Sequence, residues 1–274
     1  CTWPVRSLRT ERCWAKSNRR PQRGPINRER NGNQMQKKVL ITGAAGRIGG
    51  YLRHYWGDRY ALRLSDVKPV EGLSAHEEFV EVDVADYDAL AAACEGIDVV
   101  VHLAADPSMQ ADFYETLLQR NIIGCYNAFE AARVAGCRRI VFASSINAVL
   151  GHEDKTPVPW DIPVYPINVY GATKCWGEAL ARAYAHQHDL SCLCVRIGAA
   201  AFKQNGKWEA EEANMGISPR DQAQLFACCV DAPEDLNFKI VHGISNHVRS
   251  WMDLDVSREI GYEPEDGTAF SHVE

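Results

Sequence analysis

The sequence predicts an α/β fold, a doubly wound parallel sheet with a small C-terminal substrate-binding portion, and three observations carry that expectation. From Lys38 onward, short apolar runs rich in β-formers alternate with longer stretches of helical periodicity, the pattern of successive βαβ units. Most of those runs are apolar enough to be strands covered on both faces. The 274 residues, 46% of them apolar, are enough for one large core.

The strands are placed at 39–42, 62–66, 79–82, 99–103, 140–144 and 192–197, and the helices between them at 48–56, 87–93, 113–135 and 169–188. Crossovers of this length favour right-handed connections. After Ile197 the regularity falls. A polar, loop-rich stretch is expected to Ile217, then a helix from Asp221, a short strand near Ile240 and a last helix around Val256. Residues 35–200 therefore read as the nucleotide-binding domain and 201–274 as a small portion capping the substrate.

The net charge of −6 hides an asymmetry. Residues 1–34 hold nine Lys or Arg against two Glu, a charge of +7, which leaves −13 on the other 240 residues. That extension lacks apolar periodicity and is expected to be disordered, with Met35 reading as the natural start; it is poor in Ser and has no amphipathic pattern of a transit peptide. An acidic body repels phosphate backbones, so no nucleic-acid partner is expected. No apolar stretch approaches the length of a membrane span. The ten cysteines are scattered without a CxxC pair, so Cys192, Cys194, Cys228 and Cys229 read as core fillers of a cytoplasmic protein and no metal is expected.

The run VLITGAAGRIGGYL at 39–52 is a buried strand, a turn and a helix with GxxGxxG spacing. Gly43 permits the tight turn, Gly46 lets backbone approach a pyrophosphate, and Gly49 allows the helix to pack closely on the strand. Free N–H groups of the helix start, at Arg47 and Ile48, suit the anion. Asp66 ends the second strand, where a carboxylate accepts from both ribose hydroxyls and repels a 2′-phosphate. Together these predict a Rossmann fold that binds NAD, although Arg63 and Lys68 lie close by in sequence. Asp83 and Val84 after the third strand, and Leu103, Ala104 and Ala105 after the fourth, fall at the edge where the dinucleotide should rest.

Tyr170 and Lys174 form a YxxxK step at the start of a long helix, with a spacing that puts both on one face. An ammonium there stabilises a phenolate, which can take a hydroxyl proton while hydride leaves the same carbon. Ser145, just beyond the fifth strand, can hold the reacting oxygen; Asn147 beside it is grouped with the substrate contacts. Ser144 could take Ser145's place, and Ser145 could be only a turn residue. Asn121, on the preceding helix, could hold backbone or water behind Lys174 and is grouped with the cofactor.

TGAAGRIG at 42–49, HLAAD at 102–106, NIIG at 121–124, FASS at 142–145 and YGATK at 170–174 together resemble the extended short-chain dehydrogenase/reductase family, the NAD-dependent epimerase/dehydratase type, over about residues 38 to 262. VRIGAA at 195–200, SPRD at 218–221, HGIS at 242–245 and REIGYEPED at 258–266 are similar to its short branch that includes uronate dehydrogenases and haloarchaeal-type NAD-dependent glucose-6-phosphate dehydrogenases. The resemblance implies catalytic roles for Ser145, Tyr170 and Lys174, NAD as cofactor and a homodimer paired through two long helices. It also implies oxidation of a hydroxyl of a sugar, sugar phosphate or sugar acid. The alternatives are a sugar epimerase or dehydratase with tightly bound NAD, and a non-catalytic dinucleotide-sensing protein. One departure bears on the substrate: the loop in which uronate dehydrogenases carry a carboxylate-gripping Arg reads EAEEANMGIS here. Arg220, or Arg249 with His247, is expected to take over an anionic or polyhydroxylated substrate.

Overall fold

The computed structural model describes residues 36–152, 157–200, 202–204, 207–209, 214–247 and 250–267. The N-terminal extension and Arg249 lie outside the described residues. The chain runs β1 (Lys38–Thr42), α1 (Arg47–Trp56), β2 (Ala61–Asp66), β3 (Glu77–Glu81), α2 (Tyr87–Cys94) and β4 (Val99–His102). A wide-turned helical segment, Phe113–Ile123, leads into α3 (Gly124–Val134), followed by β5 (Arg139–Ser145), α4 (Val169–Gln187) and β6 (Ser191–Ile197). Four short strands follow: β7 (Ala199–Ala200), β8 (Phe202–Gln204), β9 (Lys207–Glu209) and β10 (Gly216–Ile217). Then come α5 (Pro219–Asp231), β11 (Phe238–Gly243) and α6 (Asp255–Glu259).

Seven strands form one sheet in the order β11-β6-β5-β4-β1-β2-β3, and every pairing in it is parallel. Alternate side chains of the central strands feed two cores. Val39, Ile41, Val99, Val101, Val141, Leu193 and Val195 point to one face, and Leu40, Val100, Ile140, Phe142, Cys192 and Cys194 to the other. That is why these strands carry no polar face. The order reverses between β1 and β4, so the chain leaves neighbouring strands toward opposite faces there and opens a crevice at their carboxyl ends. β11 joins this sheet beside β6, so the C-terminal portion contributes an edge strand as well as α5 and α6.

Three boundaries differ from the sequence reading, each for a local reason. β3 begins at Glu77 although two acids open it, because Arg53 pairs with both carboxylate oxygens of Glu77 at 2.8 Å and Arg63 reaches Glu78 at 2.6 Å. The expected single helix over 113–135 divides at Gly124. Its first part makes i→i+5 bonds, such as Leu117 N–H to the Asp112 carbonyl at 3.2 Å. α5 starts at Pro219 because Ser218 caps it, accepting from Asp221 N–H at 3.1 Å, and proline suits the first helical position. The stretch expected to be loop-rich after Ile197 holds a parallel pair, β7 with β10, and an antiparallel one, β8 with β9.

α4 packs directly on β5 and the turn after it because it lacks side chains where they meet. A Cβ at Gly177 would sit 2.2 Å from the Phe142 ring, and one at Gly171 would sit 2.4 Å from the Asn147 carbonyl oxygen. Gly177→Ala is therefore expected to push α4 away from β5 and to lower the unfolding free energy by about 1–3 kcal/mol, the usual cost of overpacking. Urea denaturation of the variant against wild type measures it.

Candidate active site

At the carboxyl edge, a cleft of about 760 Å³ runs from the glycine turn to the start of α4. Gly43 has φ +71, and a Cβ on it would lie 2.7 Å from the Ala104 amide nitrogen. Only glycine allows both the left-handed turn and this approach to the loop after β4. Gly46 caps α1, with Arg47 and Ile48 opening the helix on the cleft. Gly49 faces inward: its Cβ would meet the Ala44 carbonyl oxygen at 2.5 Å, so its absence lets the helix seat on the turn.

Asp66 accepts from Ala45 N–H with one carboxylate oxygen and from Lys68 N–H with the other, both at 3.0 Å. Each oxygen keeps lone-pair capacity toward the cleft, which Asp66 lines. Asp83, Val84, Leu103, Ala104 and Ala105 line the same wall. This is a fit for a dinucleotide: a backbone cradle that a single Cβ would fill, a helix start, and a fixed carboxylate one strand away.

At the other end, α4 begins under the cap of Asn168, whose side chain accepts from Gly171 N–H at 2.6 Å. Its first turns present Tyr170 and Lys174 to the cleft, opposite Ser145 and Asn147 at the end of β5. Ser145 Oγ accepts from the Asn147 backbone N–H and from its side-chain amide, both at 3.2 Å. Burial pushes the Tyr170 phenol above its ordinary value, while a hydrogen bond with Ser145 pulls it down and the Asp106 carboxylate pushes it up again. Lys174 is buried and donates from Nζ to the Ala143 carbonyl at 2.9 Å, with the Phe142 and Tyr170 ring centroids 5.2 and 5.5 Å away. Burial brings its ammonium down to about 8.

Beneath this pair lies a layer that the sequence reading missed. His102, buried and pushed down to about 3 first by burial and then by the Lys174 ammonium, meets Thr42 Oγ1 at 2.8 Å. Ser144 also borders the cleft, but its hydroxyl is committed to Glu178, to which it donates at 2.6 Å; Arg196 closes a buried bidentate pair on the same carboxylate at 2.9 Å. Spacing in the sequence signals neither pair, because the partners meet across different elements. Asn168 is the exception, since an Asn just before a helical run is a readable cap.

Three expected site residues do not line the cleft. Asn121 does not line the cleft: its carbonyl accepts from Asp106 N–H at 2.8 Å, and its amide donates to the Asp106 carbonyl and to Thr173 Oγ1, both at 3.1 Å. It braces the loop after β4 against α4. Arg220 is not brought to the cleft either, because it is held by Asp266 and, at 3.2 Å, by Glu265. The Asp266 carboxylate also accepts from Ser218, and Asp221 accepts from Ser245 and from Glu265 N–H. SPRD, HGIS and the EPED of the last motif thus form one clasp, buried at Ser218, Asp221, Ser245 and Asp266, that holds residues 263–266 to the start of α5. His247 reaches the Gly216 carbonyl at 2.7 Å, away from the cleft.

The sequence profile described as the NAD dependent epimerase/dehydratase family matches residues 39–207. The chain is 36% identical to the NAD-dependent glucose-6-phosphate dehydrogenase of Haloferax volcanii over 255 residues, covering 86% of this chain and 95% of that protein. It is 37% identical over 232 residues to a uronate dehydrogenase of Agrobacterium fabrum, covering 84% and 85%. A solved variant of uronate dehydrogenase from Agrobacterium tumefaciens, complexed with NAD, superposes with a TM-score of 0.77 at 34% identity, covering 85% of this chain and 86% of that one. With the glycine turn, Asp66 and the Ser145, Tyr170 and Lys174 group at one sheet edge, the chain belongs to the NAD dependent epimerase/dehydratase family.

Proposed function

We propose that the protein is an NAD-dependent dehydrogenase that oxidises a ring hydroxyl of a sugar, sugar phosphate or sugar acid. The observation that carries this reading is that Ser145, Tyr170 and Lys174 line one cleft with the glycine turn and Asp66. The similarity to dehydrogenases of glucose 6-phosphate and of uronates supports the substrate class. When bound, NAD supplies the carbon that accepts the hydride.

The chain's own residues handle the proton. Ser145, its oxygen oriented by Asn147, holds the substrate hydroxyl next to the Tyr170 phenol. Tyr170 as phenolate takes the hydroxyl proton as the carbon is oxidised. Burial opposes ionisation of Tyr170, so the Lys174 ammonium, anchored on Ala143, supplies the compensating charge from the same helix face. The residues from 201 onward are the portion we assign to covering the substrate.

We also place the protein in the cytoplasm as a homodimer. The eight described cysteines all carry free thiols, which suits a reducing compartment. Among the described residues no helix is long and apolar enough to cross a membrane. Tyr114, Tyr126, Val169 and Trp176 leave apolar surface exposed on the adjoining 113–123 segment, α3 and α4, and a second copy covering it would pair these helices.

A screen of sugars, sugar phosphates and uronates with NAD tests the function directly: reduced nicotinamide is expected to accumulate, whereas an epimerase would leave it flat. Tyr170→Phe should lower kcat by about 10²–10⁴-fold, the usual contribution of a positioned base, with the Kd for NAD changed little in a fluorescence titration. Lys174 supplies a pH signature. Its folded value of about 8 lies below the ordinary lysine value of 10.5, so between the two the unfolded chain binds more protons and stability rises with pH. Urea unfolding across that window is expected to show the slope in wild type and its loss in Lys174→Met.

A further inference from the structure

We infer that Arg120 grips an anionic group, carboxylate or phosphate, on the sugar and so selects charged over neutral substrates. This rests on the dehydrogenase reading for the identity of the ligand, but its evidence is separate. Arg120 lines the cleft, one residue before the buried Asn121 that ties the loop after β4 to Thr173. The Asn121 amide meets Thr173 Oγ1 at 3.1 Å, and that hydroxyl donates to the Tyr170 carbonyl at 2.7 Å, so the segment carrying Arg120 is fastened to the start of α4. Arg120 therefore stands at the end of the cleft that holds Ser145 and Tyr170. Arg47 and Lys68, the other exposed cations of the lining, belong to the end near Asp66.

The guanidinium is available. Its side chain is 56% exposed, and its contact with Asp106 Oδ2 spans 3.9 Å, beyond hydrogen-bonding distance. An exposed pair of that kind contributes little, so a ligand anion can take the fork of five N–H donors without breaking anything of consequence. Asp106 lies beside Arg120, and without the guanidinium its carboxylate would disfavour an anionic sugar nearby. No other described cation is free for the task at this end. Lys174 is buried on the Ala143 carbonyl, and Arg220 is held in the clasp by Asp266 and Glu265.

Calorimetric titration of the protein loaded with reduced nicotinamide dinucleotide, which cannot accept hydride, with glucose, glucose 6-phosphate and glucuronate, for wild type and Arg120→Ala, tests the inference. Arg120 is largely in solvent, so its truncation leaves the core intact. Wild type is expected to bind at least one of the two anionic sugars more tightly than glucose. Arg120→Ala should lose about tenfold or more of that affinity, with glucose and NAD affinities within about twofold. Whichever anionic sugar suffers the larger loss identifies phosphate or carboxylate as the ligand. Anionic sugars bound no tighter than glucose by wild type, an equal loss for glucose, no loss, or a loss confined to NAD would each overturn it. Binding that depends on Arg120 without accumulation of reduced nicotinamide in the screen with NAD would keep this inference and remove the dehydrogenase reading.

Discussion

The Lys174 ammonium, donated to the carbonyl of Ala143 from inside the protein, is the contact on which the site depends. A buried ammonium is costly to keep charged, and here a carbonyl and two aromatic faces offset part of that cost. The bond fastens the start of α4 to the end of β5, and that docking brings Tyr170 to Ser145. Everything around it preserves the distance: the missing side chains of Gly171 and Gly177, the Asn168 cap, and the Glu178 and Arg196 pair that engages the Ser144 hydroxyl.

The same reasoning separates the two ends of the cleft. The cofactor end is built from backbone: a glycine turn pressed against the loop after β4 and a carboxylate fixed by two N–H groups. The reacting end is built from side chains whose protonation states are set by burial, with His102 neutral and Lys174 only partly charged above neutral pH. A parallel sheet suits this division, since every strand ends at one edge and each loop can carry a different group to it.

Much of this was legible in the sequence because its causes are local. The apolar runs mark six of the seven strands of the sheet to within two residues, and GxxGxxG, Asp66 and YxxxK depend on spacings that fall within a single βαβ step or helix turn. What escaped depends on distance along the chain. Arg220 reads as a candidate for an anionic substrate, but Asp266, forty-six residues later, holds it in a salt bridge. Asn121 does hold backbone, as its place on the helix suggests, but that backbone is Asp106 and its other partner is Thr173, on two other elements, and it does not line the cleft. The i→i+5 turns at 113–123 carry no compositional mark, and Arg120 gains its meaning only from the loop that Asn121 holds beside it.

The central claim is that the Ser145 and Tyr170 end of the cleft delivers hydride to the dinucleotide held at the glycine turn. The most direct measurement uses a sugar deuterated at the oxidised carbon, with the reduced nicotinamide analysed by NMR after turnover. The account predicts that the label moves to the cofactor undiluted by solvent hydrogen and that labelled, reduced cofactor accumulates with product. Label lost to water, or retained in an isomerised sugar with no reduced cofactor, would contradict it.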